Sequence, residues 1–138
     1  METLFRTILC PIDFDQVSIP AVEMVRHVGN QGSKAILLYV IPVDGEKASE
    51  DELRVAQDSM RAISRKWFEG VLPHEILIRA GDPASEIIKA ANELNADLIV
   101  MATHGRTGIE HFLLGSVAER VVREAARPVM TVRPSRSD

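Results

Sequence analysis

Apolar residues follow two rhythms that take turns along the chain. Residues 7–12 (TILCPI) form a short apolar, β-prone run that Asp13 closes. Residues 35–41 (AILLYVI) are almost continuously apolar. A strand covered on both faces has this pattern, whereas a strand with one wet face alternates. Residues 74–79, 97–102 and 128–132 repeat the theme, so five strands are expected.

Helical spacing fills the intervals. Pro20 opens a stretch carrying Ala21, Val22, Val25 and Val28; proline suits a first helical turn because its missing N–H has no partner there anyway. Gly29 or Gly32 is the expected stop. A long helix ending near Phe68 carries Leu53, Ala56, Met60, Ile63 and Trp67 along its apolar side. Asp82-Pro83 is a start signal, with Asp82 as cap, for a helix bearing Ile87, Ile88, Ala91 and Leu94. Ser116 begins the last helix, which contains Val117, Val121, Val122 and Ala125. Strand–helix alternation with buried strands predicts an α/β fold: an open, mostly parallel sheet with helices on both faces. With no internal linker, repeat or low-complexity segment, residues 1–138 are expected to form one domain.

Composition narrows this picture. Aromatics make up only 4% of the chain, so Val, Ile, Leu and Ala must fill the core, which favours a β-branched sheet under alanine-rich helices. The net charge of −4 without a basic stripe argues against non-specific nucleic-acid binding, which depends on neutralising phosphates. Cys10 is the single cysteine and sits in an apolar run, so a small buried hydrophobe is its expected role. It has no partner for an internal disulfide, the opening residues carry no secretion-signal pattern, and no segment is long enough to cross a bilayer. The expected setting is the reducing cytoplasm, away from membranes.

Candidate chemistry concentrates just past two strands. In open parallel sheets ligands collect at the carboxyl ends of strands, near the point where strand order reverses. Asp13 stands at the first such position. Its carboxylate can accept hydrogen bonds from a ribose, a base amine or helix N–H groups, and the alternative is a cap or turn role for the helix opened by Pro20. The second position is the sequence Ala102-Thr103-His104-Gly105-Arg106-Thr107-Gly108, continuing to Gly115-Ser116. Gly105 and Gly108 can adopt positive φ and let backbone N–H groups approach an anion. Gly115-Ser116 marks a helix start, where N–H groups and the helix dipole favour a phosphate. The Ser116 hydroxyl adds a donor, and Arg106 adds a positive charge that can fold over bound phosphates. A competing account needs only helix physics: residues 116–119 (SVAE) fit a capping box in which Ser116 caps and Glu119 reaches back. The two accounts coexist if the N–H groups of Gly115 and Ser116 stay open to a ligand.

Other chemistries find less support. The loop lacks the Gly-Lys-Ser/Thr ending of a phosphate-gripping P-loop and is no dinucleotide fingerprint, which would follow the first strand. No Gly-x-Ser-x-Gly elbow is present. Asp13, His104 and His111 are the side chains a folded-back loop would gather into a metal or acid–base cluster, but no compact ligand motif joins them.

These segments together resemble the universal stress protein family over essentially the full length. The resemblance rests on residues 8–13 (ILCPID) with Ser18, on 37–40 (LLYV) and on 81–83 (GDP). It rests above all on 101–108 (MATHGRTG), continuing through 113–118 (LLGSVA) to 127–133 (RPVMTVR). It implies a Rossmann-like five-stranded parallel sheet of order 3-2-1-4-5. It also implies a stress-response or signalling protein that binds ATP, with or without Mg²⁺, and at most hydrolyses it slowly or becomes phosphorylated. ATP-binding members carry Gly, two residues, Gly, nine residues, then Gly-Ser or Gly-Thr. Gly105 and Gly115-Ser116 match, while Ala102 replaces the first glycine, and its methyl would crowd phosphates if that position needed close backbone approach or positive φ. By position in the family pattern, Pro11, Asp13, Val40, Met101, Ala102, His104, Gly105, Arg106, Gly108, Gly115, Ser116 and Val117 form the nucleotide site. Asp13 would meet the ribose or base end, Val40 the adenine, and Gly105, Gly115 and Ser116 the phosphates. The family also pairs last strands, which places Val129–Val132 at a two-fold homodimer interface. The alternative is a dimeric interaction or scaffold protein that uses no nucleotide, with Ala102 as its main support.

Overall fold

A computed structural model describes residues 3–13, 18–44, 47–103 and 115–133. The elements run β1 (Thr7–Pro11), α1 (Ile19–Val28), β2 (Lys34–Pro42), α2 (Glu50–Trp67), β3 (His74–Gly81), α3 (Pro83–Glu93), β4 (Leu98–Ala102), α4 (Ser116–Glu124) and β5 (Val129–Val132). The strands pair in parallel in the order β3-β2-β1-β4-β5, the order the resemblance implies.

Side-chain alternation divides the core into two layers. Ile8 and Cys10 of β1 pack on one face with Ala35 and Leu37 of β2 and with Leu98 and Val100 of β4. Ala21, Val22 and Val25 of α1 and Met60 of α2 cover this face. Leu9, Ile36, Leu38, Ile99 and Met101 point the other way, under Ala84, Ile87, Ala90 and Ala91 of α3 and Ala118 and Val121 of α4. The helix positions against the sheet are largely alanine and valine, so the helices sit close to it. Phe68, just past α2, is the largest fully buried side chain. Burial also pushes the Cys10 thiol up to about 12, which keeps it neutral and unreactive.

Helix ends follow local chemistry, with one departure. At α2, Ser49 Oγ accepts from the Glu52 N–H at 3.1 Å and the Glu52 carboxylate accepts from the Ser49 N–H at 3.0 Å, a complete capping box. At α3, Asp82 accepts from the Ser85 N–H at 3.0 Å and Pro83 occupies the first helical position. Gly29 ends α1 with an ordinary φ of −75°, whereas Gly32, at φ +98°, takes the left-handed turn. The capping box expected from Ser116 and Glu119 does not form. Gly115 is the N-cap of α4, and among the described residues no side chain caps that helix. Ser116 is already inside the first turn, where its hydroxyl cannot curl onto its own helix's N–H groups. Glu119 pairs instead with Arg123 one turn on, at 2.6 Å.

The topology opens a crevice at one edge. The chain leaves β1 and β2 for helices on one face, and leaves β3 and β4 for helices on the other. The connections after the adjacent strands β1 and β4 therefore diverge, and a cleft forms between them.

Candidate functional site

The cleft has a volume of about 340 Å³, in the range of small-molecule sites. Eight of the residues singled out from sequence line it together: Pro11, Asp13, Val40, Met101, Ala102, Gly115, Ser116 and Val117. His104, Gly105, Arg106 and Gly108 lie outside the described residues, as does His111. Among the described residues, no group of three or more His, Cys, Asp or Glu side chains is placed to hold a metal ion.

One end of the cleft is made by sheet backbone. In a parallel ladder, alternate residues turn both N–H and C=O to the same neighbour. The Ala35 N–H donates to Pro73 beside β3, while Leu38 accepts from the Ile12 N–H beside β1 at 2.7 Å. Even-numbered residues of β2 therefore face β1. The β1–β2 register stops at Pro11–Leu38, with Ile12 making the last bond. The next β1-facing peptide groups are those of Val40, which lines the cleft past the last residue pair of β1 and β2. A neighbouring donor and acceptor on one backbone can read the edge of a heterocyclic base. Val40, Met101 and Ile87 give this end apolar walls.

Asp13 follows directly. Ser18 Oγ accepts from the Asp13 N–H at 2.9 Å and donates to the Asp13 carbonyl at 2.6 Å. Ser18 is only 4% exposed, so this paired bond satisfies a buried hydroxyl and pins the backbone at the end of β1. The Asp13 side chain remains exposed at the rim. Of the two roles left open for Asp13, the turn role falls to its backbone, held by Ser18. Ser18 was legible only as part of the family pattern, because nothing local in the sequence announces a bond across five residues. Tyr39, also lining the cleft, has its phenol pushed up first by burial and then by the charges of Asp13 and Glu52.

The opposite end is the start of α4. Here the structure corrects one expectation: the Gly115 N–H is spent on the Thr103 carbonyl at 2.6 Å, so it does not serve a ligand. The first helical bond runs from the Glu119 N–H to the Gly115 carbonyl at 2.8 Å. The N–H groups of Ser116, Val117 and Ala118 therefore have no acceptor within the helix. All three residues line the cleft, and the helix dipole adds partial positive charge there. Asp13 is the one charged residue among the described lining residues, so an anion at this end would be held by backbone and hydroxyl donors. Ala102 ends β4 in strand register with Val132. Asn95 is the one non-glycine residue at positive φ among those described, so the backbone at Ala102 carries no strain of that kind, and the case for the scaffold alternative is left with the closeness of the Ala102 methyl to a bound phosphate.

The universal stress protein family model matches residues 4–133. A universal stress protein of Methanothermobacter thermautotrophicus is 47% identical, over 96% of this chain and 99% of that one. The structure of the Methanocaldococcus jannaschii protein MJ0577 superposes with a TM-score of 0.80 at 27% identity, over 97% of this chain and 99% of that chain. A universal stress protein solved in complex with cAMP superposes at 0.75 and 22% identity, covering 96% and 99%; that likeness is one of fold.

Proposed function

This chain belongs to the universal stress protein family, and from that premise we propose that its cleft binds an adenine nucleotide, ATP being the first choice, so that the protein works as a nucleotide-responsive regulator in stress response or signalling. The observation that carries this reading is the pairing of two unlike ends in one cleft. The peptide of Val40 suits a base edge, the uncapped first turn of α4 suits a phosphate, and the Asp13 carboxylate at the rim suits sugar hydroxyls. The family pattern assigns Gly105 and Ser116 to the phosphates, and the charge of Arg106 and the backbone freedom of Gly108 suit the same group, with Mg²⁺ as a companion of ATP.

The same reading makes the protein a homodimer. Among the described residues β5 has a strand neighbour on one side only, and its four residues are all half-buried. A second copy pairing along Val129–Val132 would cover that edge. The buried lone thiol, and the absence of any described helix long and apolar enough to cross a membrane, fit a cytoplasmic site of action.

Isothermal titration with ATP, AMP and cAMP, with and without Mg²⁺, tests the site. Micromolar binding, weakened roughly 100-fold in a folded Gly115→Asp variant, is the expected result. Wild-type protein that binds none of the three up to millimolar concentration overturns the reading. Sedimentation of the same samples tests the dimer, which a monomer at all concentrations would overturn.

A further inference from the structure

Among the described residues no side chain caps α4, and the residues of its first turn, whose N–H groups have no acceptor within the helix, line the cleft. Something outside the helix must set where those donors lie. One turn further on, four residues from Ser116, is Arg120. Its Nη1 donates to Asp82 Oδ2 at 2.6 Å, its Nη2 to Ser85 Oγ at 2.8 Å and its Nε to Glu124 Oε2 at 3.2 Å. Asp82 and Ser85 are the start of α3, where Asp82 already caps the helix by accepting the Ser85 N–H. The guanidinium thus ties α4 to two groups of one helix start, Asp82 and Ser85, which are 38 and 35 residues away in sequence.

Both helix starts border the cleft. Pro83 and Ile87 of α3 line one part of it, and Ser116, Val117 and Ala118 of α4 another. We infer that Arg120 is a positioning residue for the anion end of the site: its fork, steadied by Glu124 of its own helix, bonds Asp82 and Ser85, fixes the start of α4 against the start of α3, and so sets nucleotide affinity without touching nucleotide. This rests on the nucleotide reading of the cleft. An exposed ion pair contributes little to stability, and Arg120 and Asp82 are both substantially exposed. A planar fork with short bonds to two groups of one rigid helix start has a different use: it restricts orientation. Lysine has the charge but not the fork, so charge and geometry can be separated.

The test compares wild type with Arg120→Ala, Arg120→Lys and Ser85→Ala. Affinity for ATP and AMP is measured by calorimetry, and amide exchange at residues 116–118 is measured without ligand. Arg120→Ala is expected to speed exchange at those three amides and weaken binding roughly five- to tenfold, with thermal unfolding little changed. Arg120→Lys and Ser85→Ala are expected to fall between the two. Wild-type affinity in Arg120→Ala, or full rescue by lysine, overturns the inference. Weaker binding with unchanged exchange also overturns it, because the residue would then act on the ligand by charge. A wild type that binds no nucleotide overturns the nucleotide reading and this inference with it. That failure is recognisable, because the exchange difference between wild type and Arg120→Ala would persist.

Discussion

α3 and α4 cover the same face of the sheet, begin at the same edge of it, and are finished in opposite ways. α3 opens on Asp82, whose carboxylate closes onto the Ser85 N–H, with Pro83 removing a donor that would otherwise need a partner. α4 opens on Gly115, which has no side chain to offer, and leaves three donors directed at the cleft. Away from the cleft, α2 is finished like α3, by the Ser49–Glu52 box. A side-chain cap is the cheaper solution for stability alone. A helix start left open at the point where two strand connections diverge is the arrangement a bound anion would complete.

The sharpest way to break this contrast is to give α4 the cap it lacks. Gly115 sits at φ −61° and ψ 159°, extended backbone that any residue adopts, so Gly115→Asp is not strained. The new carboxylate would accept from the Val117 or Ala118 N–H and stabilise the helix by a few tenths to about 1 kcal/mol. It would also occupy the donors and place negative charge where a phosphate belongs, lowering ATP affinity by roughly 100-fold. Calorimetry and thermal melts on the same variant should therefore move in opposite directions. Gly115→Ala, which adds no acceptor, should keep its affinity within about threefold. If Gly115→Asp lowers melting temperature and affinity together, Gly115 is a structural glycine and the contrast fails.

The converse change removes the cap from α3. Asp82→Ala deletes the bond to Ser85 and one arm of the Arg120 fork, and should lower the melting temperature by about 3–5 °C. This effect has a pH signature. Hydrogen bonds from Ser85, and after them Arg120, hold the Asp82 carboxyl below its ordinary 3.8. Arg120 and Glu124 of α4 are the charged groups that share this network. A depressed carboxylate stabilises the fold above its ordinary value, and that contribution is lost as pH falls through the lowered one. The gap between wild type and Asp82→Ala should thus be constant near neutrality and close on acidification below 3.8. A gap that widens in acid would show that Asp82 does not act as a carboxylate. Ser49→Ala, breaking the distant α2 box, should cost about 1 kcal/mol and leave nucleotide affinity unchanged.

The parts of this molecule that were legible in the sequence are those fixed by neighbours along the chain. Residues 35–41 read as a doubly covered strand because apolar side chains on both faces leave no polar alternation. Asp82-Pro83 read as a helix start because the cap and its target are three residues apart. Errors and omissions arose where a distant residue decides. The run Ser116 to Glu119 satisfies a capping pattern, and the helix does begin at Ser116, but Gly115, bonded to the Thr103 carbonyl, takes the cap position and leaves the serine inside the turn. The cleft-facing peptide of Val40 exists because β1 stops at Ile12, a matter of register between strands. Arg120 reads as an ordinary helix-surface cation until Asp82, 38 residues away, is placed beside it. The resemblance supplied the strand order, which local patterns leave open.

The smallest predicted effect tests whether the open helix start is tuned or merely uncapped. Glu119 lies in the first turn of α4 and is bound to Arg123 at 2.6 Å. Its charge stabilises the helix through the dipole, yet it repels an anion at the same place. Glu119→Gln should therefore raise ATP affinity by about twofold while slightly lowering the melting temperature. The direction matters more than the size, because it reproduces in miniature the opposition expected at Gly115: what steadies the start of α4 by itself weakens it as an anion site. A Glu119→Gln variant with weaker ATP binding would mean that the Glu119–Arg123 pair helps to hold the site. The first turn of α4 would then be supported from within the helix as well as through Arg120, and the contrast with α3 would narrow to the cap alone.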